Sequence, residues 1–496
     1  MTLLKKKNPS NFKLLFIISL MSSVLLFPFI VLKWILKKKS QKRTILTNSN
    51  LAILGFVLIA WLPIYLLFKF QDISSSDNSL KTDCQNCNVV LIVIDTLRQD
   101  HLTPYGYNKN TTPYLDEFSK QSIIFTNNYS ASNWTLPAIA SMFTGVYPQH
   151  HLINNKYLYN HTEIDVSLNS LSPHLKTIAQ YLQKSNYLTA GFTGGAGVSS
   201  KSNFNNGFDI YKDDKDFAGL ETTSTQALDW LKNTAKKTED NHFLFLHGYD
   251  VHGQYADNDK VELNFSKSYE GDLTGTTKEH IELRDQYQNK SQLFLNEKDK
   301  QFLTNRYDDK IVAMDKRLEE FLSSYKKLKF KNPTIFIITS DHGEELFDHG
   351  GIDHGLTLYQ DVVKTPLIIQ LPKQKQQIKI ETNTSSIDLL PTILELIKIT
   401  PDENIEIDGT SFLPIINGSK KSKPILFHSD YRHVSTLRGG IDKNNNKIIF
   451  DLANDKQELY NLNKDSQEKN NLYLKDDFKN HSTTKWLKEF FWELSL

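Results

Sequence analysis

The chain has 496 residues, with 58 Lys and Arg against 57 Asp and Glu and a net charge of +1. That length suits one large domain or two ordinary ones, and so even a balance leaves no electrostatic case for nucleic acid as a partner. With only two cysteines, a four-thiolate zinc site within one chain is excluded.

Residues 14–32 carry no charge between Lys13 and Lys33, and residues 51–68 carry none before Lys69. Each stretch is long enough to cross a bilayer as a helix. A cleaved signal peptide at the first would want a small-residue cleavage site, which is missing, and a core helix at the second would be shorter. Residues 1–70 are therefore expected to be a membrane anchor with two transmembrane helices. Lys33, Lys37, Lys38, Lys39, Lys42 and Arg43 between the spans favour a cytoplasmic linker. Lys5, Lys6, Lys7 and Lys13 argue the other way, and the count leans towards a catalytic domain outside the inner membrane, in the periplasm or beyond. Residues 71–87 are rich in Ser, Asp and Asn and read as a tether. The pair Cys84 and Cys87 lies in this tether just before a strand, where a redox pair opening a helix is not expected. A small disulfide loop is slightly favoured over two free thiols.

The run Asn88-Val89-Val90-Leu91-Ile92-Val93-Ile94 is continuously apolar and β-branched, as in a parallel strand buried on both faces. Helix is then expected at 113–121, strand at 122–127, and a helix from Thr135 to Gly145. Thr135 can cap that helix, with Pro137 in its first turn and Gly145 at its end. Helices follow at 175–184 and 223–236, with strands at 188–193 and 242–247. Residues 257–291 read as a polar, irregular insertion. A long helix is expected at 296–325, then strands at 333–339 and 365–371 and a helix at 386–396. This alternation predicts an α/β domain over 88–424 with a mostly parallel central sheet. From 425 the pieces 447–451 and 458–462 predict a C-terminal subdomain with a smaller antiparallel sheet, closed by a helix at about 486–494.

In open α/β sheets ligands bind beyond the carboxyl ends of the strands. Asp95 follows the first buried strand; His247, Asp250 and His252 follow another; Asp341, His342 and then His354 follow a third. A lone Asp after a strand is usually a turn residue, but three strands ending this way point to a site. Asp95, Asp341, His342 and the Thr135 hydroxyl make a ligand set for a divalent ion: zinc, manganese, calcium or magnesium. An ion on that hydroxyl would let it attack a phosphorus or sulfur centre near neutral pH. His252 and His354 are candidates to bind non-bridging oxygens or protonate the leaving group, and with Asp250 to hold substrate or a second ion. His150 and His151 are ambiguous, Asp348 and His349 read as structural, and Asp308 and Asp309 read as a solvated helix face.

Residues 88–95, Thr112-Pro113-Tyr114-Leu115-Asp116, the Thr135–Gly145 stretch with Tyr147-Pro148, Ser340-Asp341-His342-Gly343-Glu344, His354-Gly355-Leu356-Thr357-Leu358-Tyr359 and residues 458–465 together resemble the sulfatase branch of the alkaline phosphatase superfamily. The resemblance covers about 88–475. It implies a three-layer α/β sandwich, one or two metal ions and a phosphate- or sulfate-ester substrate. Departures stand beside the match. Where sulfatases have the Cys or Ser that becomes formylglycine, this chain has Thr135, and a β-branched Thr cannot give that aldehyde. Ile139 replaces an arginine, Thr96 replaces a second Asp, and His342 stands where Asn is frequent. These changes point towards Thr-nucleophile relatives such as phosphoethanolamine and phosphoglycerol transferases, which carry membrane helices ahead of an external catalytic domain. The expected activity is a phosphate-ester hydrolase or transferase working through a phosphothreonine on an envelope lipid or glycan. The alternatives are a sulfatase with an atypical nucleophile and a non-catalytic envelope scaffold.

Overall fold

In the computed structural model, which describes residues 84–158, 167–253, 255, 261–432, 434–473, 482 and 484–486, the chain enters the domain through a disulfide between Cys84 and Cys87. Strand β1, Asn88–Ile94, follows immediately and is buried along its whole length. Its alternate residues serve two different cores. Val89, Leu91 and Val93 join one apolar cluster, and Val90, Ile92 and Ile94 join the other. A strand that is apolar on both faces must be covered on both, and helices lie on either side.

The remaining strands of the central sheet are β2 (Ile123–Tyr129), β3 (Leu188–Phe192), β4 (Ile210–Lys212), β5 (His242–Gly248), β6 (Thr334–Thr339), β7 (Lys364–Gln370), β8 (Ile378–Ile380) and β9 (Thr384–Ser385). Their order is β8-β2-β7-β6-β1-β5-β3-β4, with β9 also against β2. β1 runs parallel to both β5 and β6, Val89 lying opposite Phe243 on one side and Ile335 on the other. β7 is the exception: it is antiparallel to both β2 and β6. The sheet is therefore mixed, although mostly parallel. The apolar composition of 365–371 fits a buried strand of either direction and does not fix its sense.

Helices α1 (Pro113–Ser119), α2 (Thr135–Thr144), α3 (Ile178–Lys184) and α4 (Leu220–Asn233) come first, then α5 (Thr277–Lys290), α6 (Glu297–Lys327) and α7 (Leu389–Leu396). α2, α3 and α7 cover one face, and α1, α4 and α6 the other. All ten residues of α2 are buried, each large apolar side chain contributing about 1.5–3 kcal/mol. Helix α5 corrects the expectation of irregular chain at 257–291. Only His280 of this helix is buried, so there is no apolar period to read. Asp308 and Asp309 are also not a solvated face, for both are fully buried. Asp308 takes His101 Nδ1 at 2.7 Å and Lys109 Nζ at 2.6 Å, while Asp309 accepts the amides of Asn264 and Phe265 at 2.8 Å.

The C-terminal sheet has four antiparallel strands, β10 (Ile425–Tyr431), β11 (Ser435–Ile441), β12 (Asn446–Asp451) and β13 (Lys456–Asn461), in sequence order. Beneath it, the Lys447 ammonium meets the Glu468 carboxylate at 2.7 Å with both side chains fully buried. The predicted spans at 14–32 and 51–68 lie outside the described residues, as does most of the expected terminal helix. Among the described residues no helix is long and apolar enough to cross a membrane.

Candidate active site

Asp95 is the residue after β1, and Asp341 and His342 lie two and three residues after β6, so two parallel neighbours present them at the same end of the sheet. The chain reverses sharply after Asp95. Thr96 adopts a left-handed φ of 56°, costly for a β-branched residue, and its hydroxyl donates to Asp95 O at 2.8 Å. Its amide donates to Asp341 Oδ1 at 3.3 Å, tying the two strand ends together.

Helix α2 delivers Thr135 to this point, but not as a cap. Trp134 is the N-cap and Thr135 the first helical residue. Its hydroxyl makes no cap hydrogen bond to the helix. It donates to Asp95 Oδ2 at 3.1 Å and lies 3.3 Å from His342 Nε2. Gly145 ends the helix with φ 69°, as expected. His342 Nδ1 lies 2.8 Å from Gly343 O, a partner that can only accept, so Nδ1 carries the proton and Nε2 presents a lone pair towards Thr135 and Asp341.

Ligand atoms of Asp95, Asp341 and His342 all lie within 4.8 Å of one another, and all three side chains are fully buried. Asp95 Oδ1 and Asp341 Oδ2 have no hydrogen-bond partner. Burial, and then the negative charge of Asp95, push the Asp341 carboxyl up to about 6, and burial takes His342 down to about 4. Two mutually repelling carboxylates, an imidazole lone pair and two orphaned oxygens fit a divalent cation.

His252 and His354 flank the cluster, their ring centroids 5.1 Å apart, with His354 4.6 Å from His342. Burial and the neighbouring His354 hold His252 well below the usual imidazole range. Burial opposes charge on His354 too, but Asp353 at 2.9 Å and Glu344 at 3.3 Å outweigh it and hold it well above. Asp250 does not join them. Its Oδ2 accepts the Leu220 amide at 2.8 Å and its Oδ1 takes Arg317 Nη1 at 3.0 Å, so it caps α4 instead of facing a second ion. His151 is buried against Ser141 Oγ at 3.0 Å, His150 pairs with Asp408, and His349 stacks on Tyr359.

One residue of the cluster had no role assigned from sequence. His247, fully buried, places Nε2 3.5 Å from Asp95 Oδ2, and neither ring nitrogen has a hydrogen-bond partner. Strand parity could have found it, because Phe243 and Phe245 face the α2 side and the next residue on that face is His247.

Thr135, His252 and His354 open onto a cavity of about 360 Å³. Tyr249 and Phe217 line it on one side, and Lys156, Lys201 and Arg432 add positive charge. Ile139, at the position where the resemblance expects an arginine, is fully buried in the core under α2. Gly197 closes the wall beside Thr135, where an added Cβ would stand 3.0 Å from Thr135 Cγ2.

Comparison with known proteins gives the family. The sulfatase family model matches residues 87–399, and the model for the C-terminal part of N-sulphoglucosamine sulphohydrolase matches 348–495. The chain is 22% identical over 439 residues to the choline-sulfatase of Rhizobium meliloti, covering 76% of this chain and 82% of that one. It is 23% identical to the ulvan-active sulfatase of Formosa agariphila over 71% of its own length, spanning 62% of that relative. The phosphonate monoester hydrolase of Agrobacterium radiobacter has the same fold, with a TM-score of 0.64 at 16% identity over 83% of this chain and 95% of that one. With more than half its length under one family model, and acids and imidazoles gathered at the ends of β1, β5 and β6, the chain belongs to the sulfatase family.

Proposed function

We propose that this chain hydrolyses or transfers a phosphate ester through Thr135, at a divalent-metal site, while held to a membrane by its N-terminal residues. The observation that carries the reading is the placement of Thr135 Oγ1. It stands on the first turn of a helix, 3.1 Å from Asp95 Oδ2 and 3.3 Å from His342 Nε2, at the floor of a cavity. The helix end favours both an alkoxide and an incoming anion.

In this scheme Thr135 Oγ1 forms a bond to phosphorus as the bond from phosphorus to the leaving oxygen breaks. The hydroxyl proton departs along the hydrogen bond to Asp95, and the leaving oxygen takes a proton from the imidazole side of the cavity, where His252 and His354 lie. Water or an acceptor hydroxyl then takes the phosphoryl group from Thr135. A divalent ion held by Asp95, Asp341 and His342 would lower the pKa of the Thr135 hydroxyl and offset developing charge. Lys156, Lys201 and Arg432 supply positive charge from the cavity lining, a role that buried Ile139 cannot play. A tether to the membrane suits a substrate among envelope lipids or glycans.

Phosphate is preferred because Thr135 attacks as an oxygen nucleophile and cannot form an aldehyde hydrate. Sulfate is the second reading, favoured by the relatives named choline-sulfatase and ulvan-active sulfatase. Paired assays with nitrophenyl phosphate diesters and nitrophenyl sulfate rank the two. Turnover of the phosphate with mass-spectrometric capture of phosphorylated Thr135 supports the proposal, and turnover of sulfate alone rejects it.

A further inference from the structure

A second group of buried donors gathers around His354 Nδ1. His280 comes from α5, Glu344 from the loop after β6, and Asp353 from the short hairpin Glu345–Leu346/Ile352–Asp353. Ligand atoms of these three lie within 4.8 Å of one another. His280 Nε2 is 3.3 Å from Asp353 Oδ2, and His354 Nδ1 is 2.9 Å from Asp353 Oδ1 and 3.3 Å from Glu344 Oε1. We infer that His280, Glu344, Asp353 and His354 Nδ1 form a second divalent-cation site, of the nitrogen-and-carboxylate type that zinc prefers.

Spacing is the first support. Ligands about 2.0–2.2 Å from a tetrahedral zinc ion stand about 3.3–3.6 Å from each other; two of the contacts here are 3.3 Å, a third is 2.9 Å, and the His280, Glu344 and Asp353 donors all lie within 4.8 Å of one another. Unsatisfied valence is the second. Glu344 Oε2 is fully buried and has no hydrogen-bond partner, although the other oxygen of the same carboxylate is engaged. The Tyr255 hydroxyl, whose ring packs on His280 at 5.5 Å, is buried without a partner as well. A buried carboxylate oxygen left without a donor is costly, and an ion removes that cost. A single N–H on His354 Nδ1 can only be shared between the two carboxylates, whereas one ion between them can serve both fully. Arg284 Nη1, 3.8 Å from Asp353 Oδ2, is the nearby cation that would share this carboxylate with the metal. On binding, the ion replaces the proton on His354 Nδ1, and the ring leaves its other nitrogen for the cavity.

Zinc counting tests this directly, independently of any assay of the reaction. Full-length protein without a polyhistidine tag is stripped with chelator, reloaded with Zn²⁺, desalted and measured by elemental mass spectrometry. Two ions per chain are expected for the wild type, one for Asp341→Asn, one for His280→Gln and none for the double variant. Added zinc should also raise the melting temperature of Asp341→Asn. A single ion in the wild type that Asp341→Asn loses and His280→Gln keeps would overturn the inference. Two ions retained by His280→Gln would overturn it equally. Where His280→Gln does not fold, as judged by circular dichroism, Glu344→Gln is read in its place on the same terms.

Discussion

Three influences meet on the Thr135 oxygen: the end of α2, the acceptor Asp95 and the imidazole of His342. Removing that oxygen should therefore abolish turnover while leaving the fold. Thr135→Ala is expected to lower kcat/KM by at least about 10³-fold, some 4 kcal/mol of transition-state stabilisation, with little change in melting temperature. Thr135→Ser keeps the hydroxyl and should retain measurable turnover, and both are read with the same nitrophenyl phosphate. Asp95, Asp341 and His342 were legible in the sequence because each comes within three residues of a buried strand, where only one end of the sheet is open to ligands. Asp250 comes equally soon after β5 yet caps α4, because a turn residue can point to either side and periodicity is silent there. His280, Glu344 and Asp353 were not legible as a group, for nothing in their spacing signals that a polar helix would fold back onto a hairpin.

At the level of elements, α2 depends on what lies at each end. Gly145 closes it in a left-handed conformation, and an added Cβ would stand 2.9 Å from Ile407 Cγ2 and 3.2 Å from Ile387 O. Gly145→Ala should cost about 1–2 kcal/mol from the backbone alone, with steric strain added, seen as a lower denaturant midpoint. At the other end Gly197 belongs to a loop held by Tyr249, whose hydroxyl accepts the Gly197 amide at 3.1 Å. Gly197→Ala places a methyl group 3.0 Å from Thr135 Cγ2 and 3.1 Å from its Cβ. Its effect should fall on the reaction more than on stability: a drop in kcat of about 10-fold or more with a nearly unchanged melting curve, because small displacements of a nucleophile are expensive. The amphipathic helices and β-branched strands were readable from their periods. Helix α5 was not, because a helix that is polar on nearly every face leaves the sequence without a stripe.

Across the whole molecule, charges buried between distant segments hold the layers in place. The Asp315 carboxylate of α6 accepts the amides of Tyr114 and Leu115 at 2.8 and 3.0 Å, capping α1 from another part of the chain. Burial pushes this carboxyl up to about 7. The folded state therefore keeps a proton that the unfolded chain has already lost, so stability from this group is full below about pH 4, declines as pH rises towards about 7, and is flat above. Asp315→Asn should remove that slope from a plot of unfolding free energy against pH. Glu468→Gln leaves the Lys447 ammonium buried without its counter-ion and is expected to cost about 3–5 kcal/mol in urea unfolding. The direction of β7 was beyond the sequence, since an apolar run reads the same in either sense and one of its two partners, β2, lies more than 200 residues earlier. That antiparallel strand has a consequence for how the protein is made. β2, which leads into α2, finds its neighbours only in β7, β8 and β9, with Ile124 opposite Ile368 in β7. A nascent chain paused on the ribosome before residue 364 thus carries Asp95, Thr135, Asp341 and His342 already synthesised, yet β2 has no strand to join it to β6. The sheet that carries this cluster must therefore be completed late in synthesis, after translation has passed residue 364.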